Sequence, residues 1–242
     1  MSYGYDYSVA ARAASSDRAA FIRRTYAHLA GAILAFMGIE ALLLNVLNDA
    51  AQAQILRLML GGFGWLFVMI AFMAAGWIAR TWAHSNTSSA MQYMGLGLYV
   101  VAWSVVFLPL LIIATHYMDK PGQPNTVIPT AGILTLAVFG GLTLSVFVTR
   151  KDYSFLRPIL CVGSMIALGV IVAACFLPLN LGLFFSFAMV ALMAGYILYD
   201  TSNVMLHYRT DQHVGAALEL FASVAMLFWY ILRIVMSVSS RD

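Results

Sequence analysis

Seven apolar stretches, each about twenty or more residues long, leave this chain few folds to adopt, because ~20 apolar residues in a helix span the ~30 Å of a bilayer's hydrocarbon. They run from Thr25 to Leu47, about Leu56 to Ile78, about Gln92 to Thr115, Val127 to Thr149, about Phe155 to Leu177, Leu181 to about His207, and His213 to Val238. Breaks between them are short and polar: Asn48-Asp49, Pro121-Gly122-Gln123-Pro124-Asn125, Arg150-Lys151-Asp152, Pro178 with Asn180, and the hinge Arg209–His213. Pro158 falls in the first turn of its run, where proline is tolerated. Transmembrane strands would instead show alternating segments of about ten residues, and none are present. Composition agrees: 62% of residues are hydrophobic and 10% charged, with mean hydropathy +0.87, where soluble domains carry about a quarter charged residues. The expectation is an all-α integral membrane protein of seven transmembrane helices, with a six-span variant, one segment re-entrant, as the alternative.

Orientation follows from the cations. With the N-terminus in the cytosol, that side holds Arg12, Arg18, Arg23, Arg24, Arg80, Arg150, Lys151, Arg157 and Arg209, against Arg57, Lys120 and Arg241 outside. This positive-inside bias places the C-terminus outside. No secretory signal is legible in residues 1–20, which read as a flexible cytosolic tail ahead of a membrane domain at 21–242. Glycines such as Gly95, Gly97, Gly140, Gly141, Gly163 and Gly169 suit close helix packing. Trp77, Trp82, Tyr117, Tyr153 and Tyr208 suit interfacial anchoring. Cys161 and Cys175 lie about 21 Å apart along one helix, too far to bridge, and read as buried packing thiols.

Ionisable groups inside the membrane are few: His28, Glu40, Arg80, Asp200, Glu219 and Arg233. A carboxylate at a helix centre costs roughly 2.5–3.5 kcal/mol on insertion scales, so each one asks for a partner or a purpose. Arg80, Asp200 and Glu219 share a depth on the cytosolic side, and Glu219 and Ser223, four apart, face the same way. Two close carboxylates share a proton, whereas a nearby Arg holds one of them charged. Protonation could then break an Asp200–Arg80 latch and open an aqueous path, and hard carboxylate oxygens suit Ca²⁺. The plainer reading has Asp200 and Arg80 snorkelling to interfacial water. Glu40 and Arg233, in the outer halves of the first and last runs, form an expected outer-side pair. His28 reads as a hydrogen-bonded interfacial histidine. No His/Cys metal spacing, phosphate-binding loop or Ser–His–Asp arrangement is present, so the chain is not read as an enzyme, and no cofactor is expected.

Three stretches carry a family resemblance. Arg150-Lys151-Asp152-Tyr153-Ser154-Phe155-Leu156 resembles the charged turn between helices four and five of the Bax inhibitor-1, or transmembrane Bax-inhibitor-motif, family. Tyr196-Ile197-Leu198-Tyr199-Asp200-Thr201-Ser202-Asn203 is similar to the end of that family's sixth helix. Ala217-Leu218-Glu219-Leu220-Phe221, with Leu227-Phe228 and Ile231-Leu232-Arg233, is similar to its seventh. The resemblance implies six helices around a central seventh and a pH-sensitive Ca²⁺ leak closed near the cytosol. It implies that Asp200 is the sixth-helix acid, Arg80 its latching cation, and Arg233 the basic residue of the outer half of the seventh helix. The family's second acid falls at Ser223, a departure that Glu219, one turn nearer the cytosol, could restore. A bacterial inner-membrane setting is expected. The alternative is a non-channel regulator that binds a membrane protease or a stress or cell-death partner.

Overall fold

The computed structural model describes residues 9–61, 63–85, 88–116, 126–177 and 181–240. Eight helices follow one another: α1 (Ser15–Val46), α2 (Asp49–Leu60), α3 (Gly64–Ala83), α4 (Ser89–His116), α5 (Val127–Thr149), α6 (Leu156–Phe176), α7 (Leu183–Leu206) and α8 (His213–Ser239). Seven of them are long and apolar enough to cross a membrane. The eighth, α2, has 12 residues and reaches about 18 Å, too short to span. It was not foreseen. Asn48 starts it, its side chain accepting from the Ala51 amide at 2.9 Å, and Gly61 ends it. The second span therefore begins at Gly64 and runs to Ala83, a few residues beyond the expected end.

The expected tail also shortens. Residues 15–20 already belong to α1, and Val9 pairs as an antiparallel bridge with Arg209. The Ala10 amide donates to the Tyr208 carbonyl at 2.9 Å, and Ala10 is fully buried. So the segment just before α1 is pinned onto the turn between α7 and α8. The first eight residues lie outside the described ones.

α8 packs against α1, α3, α4, α5 and α7 and buries side chains from Val214 to Leu232. α4 shares this inner position, with buried residues from Gly95 to Ala114, and continues through Pro109. α6 stands at the periphery against α7. There, small residues face large ones: a Cβ on Gly163 would meet Leu192, and one on Gly195 would meet Leu160. The Ser164 and Tyr196 hydroxyls, 2.9 Å apart, add a polar tie, the kind of packing that holds helices together where lipid removes the hydrophobic drive. Cys161 is exposed on α6 instead of packed inside, and the side chain of Cys175 is outside the described residues.

Large apolar side chains cover the outer faces: Phe67 and Trp77 on α3, Ile133 and Leu144 on α5, Val162 and Met165 on α6, Phe184 on α7. In water such a surface would aggregate; in hydrocarbon it is the ordinary exterior. Core packing is closest between α3 and α4. A Cβ on Gly95 would lie 2.6 Å from the Ala79 carbonyl oxygen and 2.7 Å from the Ala83 nitrogen, so the two backbones meet where only glycine fits. Gly95→Ala is expected to cost ~1–3 kcal/mol of stability in thermal unfolding, as overpacking does. Gly97→Ala, with nothing near its Cβ, should leave the transition where it is.

Candidate functional site

The candidate site lies where α3, α7 and α8 meet near the α7–α8 turn. Each side chain arrives from a helix whose buried stripe points inward. On α7 that stripe runs Ser186, Met189, Met193, Ile197, Asp200, Val204, so the acid continues an apolar face. On α8 Ser223 lies within the buried run, and Glu219, one turn earlier, is half-buried.

The structure brings Arg80, Asp200, Glu219 and Ser223 together but pairs them differently from the expectation. Arg80 Nη2 lies 3.2 Å from Glu219 Oε2. Asp200 is not Arg80's direct partner; its Oδ2 accepts a 2.6 Å hydrogen bond from the Ser223 hydroxyl. The physical reason is reach. Arg80 ends α3 with half of its side chain exposed, whereas Asp200, 8% exposed, is turned toward α8, where Ser223 meets it. Asp200 still feels the charges of both Glu219 and Arg80, so the four residues form one electrostatic unit. Ser223, read from sequence as the place of a missing acid, is the residue that satisfies the remaining one.

Further residues complete the site that sequence reasoning missed. Arg80 donates to the Tyr99 hydroxyl at 3.5 Å and lies 5.8 Å from that ring's centroid, a cation–π arrangement. Tyr26, Thr143 and Thr201 bring hydroxyls together from α1, α5 and α7, yet none makes a hydrogen bond of good geometry. Tyr208, in the turn, is half-buried and accepts the Ala10 amide at its carbonyl; desolvation pushes its phenol upward, and the carboxylates of Glu219 and Asp200 act in the same direction. The only sequence signal for these hydroxyls is their depth, level with Asp200 in neighbouring runs.

The expected outer pair does not form. Among the described residues, neither buried Glu40 carboxylate oxygen has a hydrogen-bond partner, while Arg233 donates from Nη2 to the Leu181 carbonyl at 2.9 Å. Arg233 instead borders a cleft of about 540 Å³ with Trp65, Pro109 and Trp229, whose indoles stack at 6.1 Å. His28 meets the Arg24 carbonyl at 2.6 Å and the Tyr93 hydroxyl at 3.2 Å, the hydrogen bonding expected of it. Among the described residues, no three His, Cys, Asp or Glu side chains gather as a metal site.

A family model described as "Inhibitor of apoptosis-promoting Bax1" matches residues 18–240. The chain belongs to the Bax inhibitor-1 family. An uncharacterized protein of Pseudomonas aeruginosa is 28% identical over 214 residues, covering 88% of this chain and 87% of its own length. A BI1-like protein of Arabidopsis thaliana is 34% identical over 115 residues, 45% of this chain and 44% of its own. The LIFEGUARD 3 protein of the same plant is 24% identical over 220 residues, 89% of this chain and 83% of its own.

For this Bax inhibitor-1 chain, the charged turn after α5 has a structural explanation. Arg150 caps the helix in the left-handed region, φ 52°, a place usually given to glycine. The Asp152 carboxylate accepts from the hydroxyl and amide of Ser154, which hold its pKa below the ordinary range. The turn is then tied to α7: the Tyr153 amide donates to the Ser202 hydroxyl at 3.0 Å, and His207 Nε2 lies 3.4 Å from Asp152. Two of the family-like stretches thus meet at one end of α7.

Burial ranks the two polar links of the site. Removing the Ser223 hydroxyl leaves a buried oxygen unpaired, and Ser223→Ala should cost ~1–3 kcal/mol in thermal unfolding. The Arg80–Glu219 pair is partly exposed, 52% and 25%, and Glu219→Gln should cost no more than ~1 kcal/mol. The reverse order would show that the weight of the site rests on the ion pair.

Proposed function

We propose that the protein is a pH-sensitive cation leak of the Bax inhibitor-1 type, with Ca²⁺ as the permeant ion, closed near its cytosolic end. The observation that carries this reading is a buried acid, Asp200, held on α8 by Ser223 beside an Arg80–Glu219 pair. A carboxylate in that position is costly unless a proton, a cation or a hydrogen-bond donor compensates it. The closed bundle supplies the donor, and a passing cation would supply the alternative.

The latch suggested by the resemblance becomes a two-part lock. Arg80–Glu219 joins α3 to α8, and Asp200–Ser223 joins α7 to α8. Losing the attraction between Glu219 and Arg80 frees α3, so flux should rise when that pair is broken. The distribution of Arg and Lys supports a cytosolic N-terminus and an outside C-terminus, and the Pseudomonas relative supports a bacterial inner-membrane setting. The protein is then a non-enzymatic conductor that needs no bound cofactor.

Reconstitution in liposomes loaded with a Ca²⁺-sensitive dye tests this directly. Asp200→Asn should lower Ca²⁺ flux about tenfold, the effect of losing ~1.4 kcal/mol of ion stabilisation. Glu219→Gln, which breaks the pair with Arg80, should raise flux. Folded wild-type protein without flux between about pH 5 and 8, the range over which carboxylate and histidine switches operate, would overturn the leak. It would favour a regulator acting on a membrane protease or a stress or cell-death partner, a reading for which Ser223, in place of the second acid, is the supporting observation.

A further inference from the structure

Glu40 is the one intramembrane acid that the proposed gate does not use. α1 buries a single stripe: Phe21, Thr25, Leu29, Ala32, Phe36 and Glu40. This stripe faces the interior, since α1 packs on α8 and α4 and Phe36 meets Phe107 and Phe221 at centroid distances of 5.0 and 6.1 Å. Glu40 continues it one turn beyond those rings. It is 4% exposed, and neither carboxylate oxygen has a hydrogen-bond partner among the described residues. Among the described residues no side chain pairs with it, and Arg233 bonds to the Leu181 carbonyl instead.

A second buried acceptor lies at the same end of α1. Gln52 of α2, also 4% exposed, donates its amide to the Leu44 and Leu47 carbonyls at 3.3 and 2.8 Å. Its Oε1 has no partner among the described residues. Three oxygen acceptors thus lie buried at this end of α1 without a hydrogen-bond partner among the described residues. Native interiors rarely leave such groups unsatisfied, and each one calls for an explanation such as an ion. Oxygen acceptors without donors are the ligand chemistry of hard cations.

We propose that Glu40 is a second cation-binding carboxylate, reached from the side opposite Asp200, at which Ca²⁺ is held near the C-terminal end of α1, one turn past Phe36. The site rests on the leak reading only for its contribution to flux; its occupancy can be read separately.

The test uses full-length protein in liposomes and a carbodiimide that modifies intramembrane carboxyls, with the product at Glu40 quantified by mass spectrometry. Glu40 should be modified in Ca²⁺-free buffer, and external Ca²⁺ should suppress the modification several-fold, where choline of equal ionic strength does not. The same protection should persist in Asp200→Asn. Modification that ignores Ca²⁺ makes Glu40 a proton-carrying group only and overturns the proposal, as does protection that disappears in Asp200→Asn. Where wild-type protein conducts, Glu40→Gln should lower Ca²⁺ flux while Glu40→Asp retains most of it. Equal flux in Glu40→Gln and wild type also overturns it. Wild type without flux rejects the leak and leaves the protection experiment to decide the site. Glu40→Gln removes a buried carboxyl without a partner and should fold, with an unchanged thermal transition as the check.

Discussion

A carboxylate enclosed among apolar helices dictates much of the arrangement around it. Asp200 occupies a position where water cannot solvate it, so the bundle must offer a donor, and the Ser223 hydroxyl does so at 2.6 Å. That contact requires α7 and α8 to present these faces to each other. The apolar residues flanking Asp200 on α7, Ile197 and Val204, then become fully buried. Glu219, one turn along α8, is carried to the α3 side, where Arg80 meets it. One hydrogen bond thereby orients three helices and separates the buried acid from the half-exposed one.

The two acids are consequently unlike. Glu219 pairs with a cation near water and can exchange its partner at little cost. Asp200 is satisfied by a neutral hydroxyl in a closed interior, where losing the donor is expensive. A lock with one weak and one strong link can yield in stages: the ion pair loosens first, and the buried link holds until something replaces its hydrogen bond. The pinned segment at Val9 and Ala10, together with Tyr208, covers this end of the bundle. Movement of α8 against α7 would have to displace that cover.

Much of the architecture was legible in the residues. The bounds of α5, Val127–Thr149, were read directly, because Pro/Gly/Asn and Arg-Lys-Asp breaks flank an uninterrupted apolar run. α2 escaped because its apolar second half, from Leu56, merges with the following span, and the break at Gly61 looks like helix-packing glycine. In the candidate site, the four residues named from sequence do converge, but with exchanged partners. Glu40 and Arg233 were matched on depth alone; depth says nothing about which way two helices face, and Arg233 bonds to the Leu181 carbonyl instead.

The sequence by itself determined that the chain crosses a membrane seven times and which few polar groups it carries inside. Hydrocarbon thickness and the need to satisfy backbone groups act along one dimension, the chain. Only the tertiary structure decided that Ser223, and not Arg80, holds Asp200, that Glu219 takes Arg80, and that Glu40 has no partner among the described residues. Those choices depend on the rotation of each helix about its axis. Helices such as α5 are apolar nearly all round, so their residue patterns do not reveal that rotation; packing against α8 sets it.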